Sequence, residues 1–191
     1  MEKIILASSS PRRRELLARL GVKFEVRPSK IDENKVKEDR PDRLVQKLSF
    51  LKAEDVINTQ DEIVIAADTV VSLDNKILGK PKDSEEAFRM LTKLSGQKHQ
   101  VLTGTTVLTA QRRLTDYQAT SVSFKELTAQ EIEEYIATGE PLDKAGSYGI
   151  QGMGAVFVKE INGCFYNVVG LSLYNLRKML TELGVKFSLN G

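Results

Sequence analysis

The stretch EIVIAADTVVSL, residues 62–73, is apolar almost without interruption and places the strongest constraint on the fold. A continuous apolar run of this kind reads as a strand buried on both faces, so other elements must cover it from two sides. The interruptions are Asp68 and Thr69. A carboxylate in such a strand needs a partner, because an unpaired charge removed from water is strongly unfavourable. Asp68 reads as lying near the strand's end, where it either caps a turn or does chemistry. Val70 and Val71 continue the apolar run beyond it, which weighs against the cap. At such a place, beside an anion site, a carboxylate serves as metal ligand or base.

Around this run, short apolar segments and helical patterns alternate. KIILAS (3–8) reads as a buried strand and VKFEV (22–26) as a second. Between them SPRRRELLARL reads as a helix with Ser10 at the N-cap and Pro11 in the first position. Residues 28–40 read as a polar loop. Pro41 opens a helix in which Leu44, Val45, Leu48, Leu51 and Lys52 recur at spacings of three and four. LDNK (73–76) is a turn, SEEAFRMLTKLSG a helix, and 99–110 with 114–127 a pair of strands around QRR. TAQEIEEYIATGE reads as a helix stopped by Gly139. In GAVFVKEINGCFYNVVGL the Asn162-Gly163 pair predicts a β-hairpin with a type I′ turn, and SLYNLRKMLTELG a closing helix. Alternation first and antiparallel pairs later predict an α/β fold with a mixed central sheet and flanking helices. Residues 1–191 read as a single domain, without repeat or linker.

Composition excludes several functions. The 191 residues suffice for a substantial core. Against 26 acidic residues stand 28 basic ones, a net charge of +2, too near neutral for a general nucleic-acid binder. Aromatic residues make up 6% and tryptophan is absent, which disfavours stacking on single strands. With Cys164 as sole cysteine, no internal disulfide forms. The apolar part of MEKIILASSS is too short for a signal peptide, and no run is long enough to span a membrane. The expectation is a cytoplasmic protein with neither nucleic acid nor membrane as partner.

The helix start poses its own question. Arg12, Arg13 and Arg14 fall in the first turn, where the helix already carries roughly half a positive charge. Ser8, Ser9 and Ser10 precede them with hydroxyls and backbone N–H groups. Together they form a receptacle for phosphate, in which the guanidiniums serve once a polyanion docks. Lys52 stands on the apolar side of its helix, and Lys80 in LGKP, which lacks P-loop spacing. Gly146, Gly149, Gly152 and Gly154 crowd a loop with Asp143, Lys144 and Gln151, a composition that lets backbone approach a ligand closely. His99, the only histidine, is expected to pack or cap near a strand start. Cys164, expected in a hairpin strand, reads as a small buried hydrophobe.

The stretches LASSSPRRRELL, ADTVV (67–71), LGKP (78–81), LSGQKHQVLTG (94–104), EPLDKAGSYGIQG (140–152) and VVGL, in that order, resemble the Maf family of nucleoside triphosphate pyrophosphatases. The resemblance implies a fold shared with the inosine-triphosphate pyrophosphatases: an elongated α/β molecule with a mixed sheet and a cleft between two lobes. It implies cleavage between the α and β phosphates with a divalent cation, magnesium or manganese. Arg12, Thr69 and Gln151 match the subgroup acting on dTTP and UTP; the subgroup acting on 7-methyl-GTP carries an aromatic residue, Gln and Glu there. The family's name also invokes septum formation and cell division. Ser172 departs from the Pro usual after Gly-Leu, and a serine there can cap the last helix.

In this reading Ser8, Arg12, Arg13, Thr69 and Gln151 bind the nucleotide substrate, and Lys52 and Lys80 neutralise its phosphates. Asp68 is the proton acceptor, and Glu33, by analogy, positions metal or water. Metal ligation falls to Glu33 and Asp68. A free Asp has a pKa of about 3.9 against about 15.7 for bulk water, so the cation must supply the remaining activation. The alternative is a nucleotide-binding regulator of cell division without catalysis, which needs neither Asp68 nor the lysines. A homodimer is left open.

Overall fold

A computed structural model describes residues 3–185. Seven strands, β1 (Lys3–Leu6), β2 (Phe24–Val26), β3 (Glu62–Leu73), β4 (Lys76–Leu78), β5 (Lys98–Leu108), β6 (Arg113–Phe124) and β7 (Val158–Asn162), form a sheet in the order β2-β1-β3-β5-β6-β7, with β4 on β3. The sheet is mixed: β1 runs parallel to both β2 and β3, whereas β4 is antiparallel to β3 and β7 to β6. The helices are α1 (Pro11–Ala18), α2 (Pro41–Val56), α3 (Ser84–Leu94), α4 (Ala129–Ala137), α5 (Phe165–Val169) and α6 (Leu173–Glu182). Short 3-10 turns occupy Glu33–Lys35, Glu140–Asp143, Ala145–Ser147 and Met153–Phe157. No helix among the described residues is long and apolar enough to cross a membrane.

The chain divides into two compact units. The first comprises the stretch up to Asp68, Thr103–Gln118 and the stretch from Gly170; the second comprises Thr69–Leu102 and Ala119–Val169. In the first, β1 pairs Ile5 with Val64 of β3. Ile5, Ala7, Val64 and Ala66 are buried with Ala53 and Val56 of α2. Burying each of the larger side chains contributes roughly 1.5–3 kcal/mol. A Cβ at Gly104 of β5 would lie 2.2 Å from the Val45 carbonyl oxygen, so glycine is needed where β5 meets α2.

In the second unit, α3 buries Ala87, Met90, Leu91 and Leu94 and packs against α4. The rings of His99, Tyr148 and Phe124 meet edge to face, and Phe124 meets Phe157, which meets Tyr135. The turn between β3 and β4 holds Asp74 and Asn75 at φ of 50° and 63°, the two positive values that a type I′ turn requires.

Two local expectations are corrected. Asp68 is not at a strand end; it is buried inside β3, with five strand residues beyond it. Nor does 154–171 form a hairpin. Met153–Phe157 is a 3-10 turn, β7 is its one strand, and α5 follows. Only Gly163 of the Asn162-Gly163 pair has a positive φ, at 132°. The polar groups beyond it explain the helix. Asn167 Nδ2 donates to the Val101 carbonyl and to Thr120 Oγ1, and Thr120 Oγ1 also bonds both backbone groups of Cys164. Cys164 is therefore a half-buried residue before α5, not part of a strand.

Candidate active site

Local chemistry builds α1 as its sequence predicts. Ser10 Oγ caps the helix by accepting from the Arg13 N–H at 3.4 Å, and Ser8 Oγ accepts from the Ser10 N–H at 3.2 Å. No acidic residue offsets the three arginines in the first turn. Their fates differ: Arg14 is exposed, Arg12 and Arg13 are half-buried. Arg13 Nε donates to the Gly170 carbonyl at 2.9 Å, and its Nη1 reaches Ser8 Oγ at 3.4 Å. Burial pulls the Arg13 guanidinium below its ordinary range; the carboxylates of Asp68 and Glu33 oppose that shift and Arg12 adds to it. Arg13 thus lies within the electrostatic reach of both carboxylates and of a second guanidinium.

Those carboxylates converge on Lys52. Its Nζ lies 2.6 Å from Asp68 Oδ1 and 2.8 Å from Glu33 Oε1. Lys52 projects from α2, on the helix face that also buries Val45, Leu48, Ser49, Ala53 and Val56. Glu33 comes from the 28–40 segment, which is not shapeless. Ser29 Oγ and the Lys30 N–H both donate to Asp55 Oδ2, at 2.8 and 2.7 Å, and Asp32 caps the 3-10 turn through the Asn34 N–H. The first unit therefore brings together Ser8, Arg12, Arg13, Glu33, Lys52 and Asp68. Three cations stand against two carboxylates, which leaves the group cationic and suited to an anionic ligand.

The other expected site residues belong to the second unit. Thr69 is half-buried in β3 and, following Asp68, points to the opposite face of the strand. Lys80 is exposed just after β4; its neighbour Gly79 offers its carbonyl to the Gly146 N–H at 3.0 Å. Gly146 has a φ of 68°, and a Cβ there would meet Val71 Cγ2 at 2.8 Å. Gln151 is exposed, as is Gly152 after it, whereas Ile150 before it is buried.

The glycine-rich loop differs from expectation in what it approaches. A Cβ at Gly152 would lie 2.3 Å from Glu140 Oε1, and one at Gly154 2.8 Å from the Tyr135 hydroxyl. The chain's own carboxylate and phenol occupy that space. Lys144 donates to the Glu140 carbonyl and to Asp143 Oδ1, each at 2.6 Å, so both form part of the loop's framework. Sequence reading did not single out Glu140, Tyr135 or the Gly170 carbonyl; the density of glycines was the available signal for the first two.

His99 is buried at the start of β5, with Nε2 2.8 Å from the Tyr148 hydroxyl, as a packing residue. Burial pulls it down to about 4, so it is neutral near pH 7.

Comparison with known proteins agrees with this architecture. The chain is similar to a Ham1 protein from Coxiella burnetii, with a TM-score of 0.54 and 16% identity over 95% of this chain and all of that one. Staphylococcus aureus Ham1 gives the same TM-score at 12% identity, covering 96% of this chain and all of its own. Closer in sequence is a Clostridium beijerinckii protein named dTTP/UTP pyrophosphatase, 52% identical over 95% of this chain and 99% of its own. A Bacillus cytotoxicus protein of the same name is 50% identical over 95% of this chain and 96% of its own. The family model described as Maf-like protein matches residues 3–183, from the start of β1 to just past the end of α6, and the chain belongs to that family.

Proposed function

We propose that this chain hydrolyses dTTP and UTP to the nucleoside monophosphate and pyrophosphate. The observation that carries the reading is the buried Asp68 carboxylate held by Lys52, with Glu33 on the same ammonium and the Arg13 guanidinium within electrostatic reach. Relatives about half identical over nearly the whole chain carry the name of that activity, which supports the choice of substrate.

Each residue then has a task. Arg12, Arg13 and Lys52 take up charge on the triphosphate, with Lys80 as a further cation, and align it for attack at the α phosphorus. Ser8 orients Arg13. Asp68 accepts the proton of the attacking water; the bond between the α phosphorus and the bridging oxygen breaks, and pyrophosphate leaves. Thr69, Gln151 and Arg12 select the pyrimidine base.

A divalent cation fits this site. Two carboxylate oxygens already enclose one cation, the Lys52 ammonium, within 2.8 Å. Among the described residues no three His, Cys, Asp or Glu side chains gather to hold a metal. Magnesium and manganese tolerate that, because one or two carboxylates suffice when substrate phosphates and water complete the shell. Glu33 and Asp68 would hold it, and when bound it would acidify water and stabilise charge on the phosphate.

A pyrophosphate-release assay with magnesium or manganese across nucleotides, with the products separated by ion exchange, tests the reading. dTTP and UTP are expected to yield monophosphate and pyrophosphate. Release of orthophosphate and nucleoside diphosphate, or no turnover of either nucleotide, would overturn it.

A further inference from the structure

The segment from Glu140 to Gly154 folds around one carboxylate. Glu140 Oε1 accepts from the Tyr135 hydroxyl at 2.8 Å, and Oε2 accepts from the Met153 N–H at 2.9 Å. The Tyr135 hydroxyl in turn accepts from the Gly149 N–H at 3.1 Å. Backbone on both sides of Gln151, two residues before it and two after, is thereby tied to the end of α4 and the turn that follows.

The fit leaves no room for side chains. A Cβ at 152 would lie 2.3 and 2.4 Å from the two Glu140 oxygens, and one at 149 would lie 2.9 Å from Oε1. Burial opposes ionisation of Glu140, but the bonds from Met153 and Tyr135, with Lys144 nearby, outweigh it and hold the carboxyl below its ordinary value. The ionised group is acceptor-only, which matches a ring of donors. Gln151 stays exposed on this loop, between Ile150, which is buried, and Gly152, which has no side chain.

We propose that Glu140, with Tyr135, is the positioning residue that fixes Gln151 for base recognition. This rests on the reading of Gln151 as the residue that meets the pyrimidine. A loop of four glycines left to itself would lose binding energy to ordering, and recognition by a pair of hydrogen bonds demands a fixed donor and acceptor. Glu140 removes that loss by holding the loop before substrate arrives. The group acts through the loop and does not touch the reacting atoms.

Glu140→Gln turns one acceptor into an amide donor facing N–H groups. Its expected effect is a rise of about tenfold in KM for dTTP and UTP, with kcat changed less than about threefold. The ratio of kcat/KM for UTP over GTP is expected to fall by a similar factor. Hydrogen exchange at residues 149–154 is expected to accelerate at least tenfold while α3 is unchanged. Tyr135→Phe, which loses only the hydroxyl, keeps the test open should Glu140→Gln fold poorly; it should show the same pattern at smaller amplitude. Equal loss on UTP and GTP, a loss carried by kcat, or unchanged exchange at 149–154 would each overturn the proposal. If the wild-type chain turns over neither dTTP nor UTP, the substrate reading fails and base recognition with it, whereas unchanged exchange sinks the role of Glu140 alone.

Discussion

Lys52 and Asp68 form an ion pair with Nζ 2.6 Å from Oδ1 and side chains only 10% and 8% exposed. Burying two charges carries a desolvation penalty that their attraction roughly balances, so such a pair adds little net stability. Its placement beside Arg13 and Glu33 makes sense as a poised carboxylate. Asp68→Asn keeps the shape and removes the carboxylate proposed to accept the proton. Turnover of dTTP should fall about 10²–10⁴-fold, while nucleotide affinity by calorimetry stays within a few-fold. Near-wild-type turnover would remove Asp68 from the reaction.

The arginine turn separates into a half-buried, hydrogen-bonded Arg13 and an exposed Arg14. Arg13→Lys preserves charge but loses the Nε bond to the Gly170 carbonyl and the planar fork. Both KM and kcat should suffer, with kcat/KM down by about tenfold or more. Arg14, exposed on the same turn, serves as the internal control: Arg14→Ala should stay within about twofold. Equal effects at the two positions would mean that general positive charge, not the Arg13 geometry, is what matters.

Metal affinity should depend on nucleotide. With two protein carboxylates in the site, manganese alone should bind weakly, and addition of a non-hydrolysable dTTP analogue should tighten it markedly. Titration followed by electron paramagnetic resonance measures both states. Tight binding without nucleotide would point to protein ligands beyond Glu33 and Asp68.

The sequence carried much of this. Ser10 and Pro11 are local signals, and the cap they predict is present. Ser172, expected to cap the last helix, accepts from the Asn175 N–H. Lys52 stood out on the apolar side of its helix, and Asp68 and Glu33 are its partners. What failed was non-local. Nothing near Asn162-Gly163 announces that Asn167 will bond Val101 and Thr120, sequence-distant residues whose pull outweighs the turn preference. The glycine loop was legible as a place of close approach, but nothing in the pattern said that the approaching group is Glu140, at the head of the same stretch.

Stability at low pH should be lost in part through Glu62. Arg27 grips it in a two-pronged bond, at 2.8 and 3.1 Å, and the Asn58 N–H adds a third. The Arg27 side chain chiefly, with backbone donors, pulls Glu62 from its ordinary 4.5 down to about 2. A lowered folded-state value means that stabilisation is complete above the unfolded value and disappears as pH falls through the folded one. Glu62→Gln should therefore destabilise by about 1–3 kcal/mol at pH 7. The gap between variant and wild type should hold down to about pH 5 and close toward pH 2. Urea melts at several pH values measure it, and a gap independent of pH would show that the charge on Glu62 contributes nothing.

Base choice provides the most specific prediction. Thymine and uracil present an O4 acceptor beside an N3–H donor, and the Gln151 amide offers one donor and one acceptor in return. Guanine presents O6 beside two donors, which suits a carboxylate better. Gln151→Glu would set an unpaired negative charge against O4, at about 1–3 kcal/mol or more. Use of dTTP and UTP should fall roughly ten- to a few-hundred-fold, with guanine nucleotides spared. Because Gln151 is exposed and its loop is held by Glu140 through backbone groups, the exchange should leave the fold intact, and an unchanged melting curve checks that. The measurement is kcat/KM for UTP and 7-methyl-GTP on both proteins. If their ratio does not move, Gln151 only completes the loop, and the base must be read elsewhere.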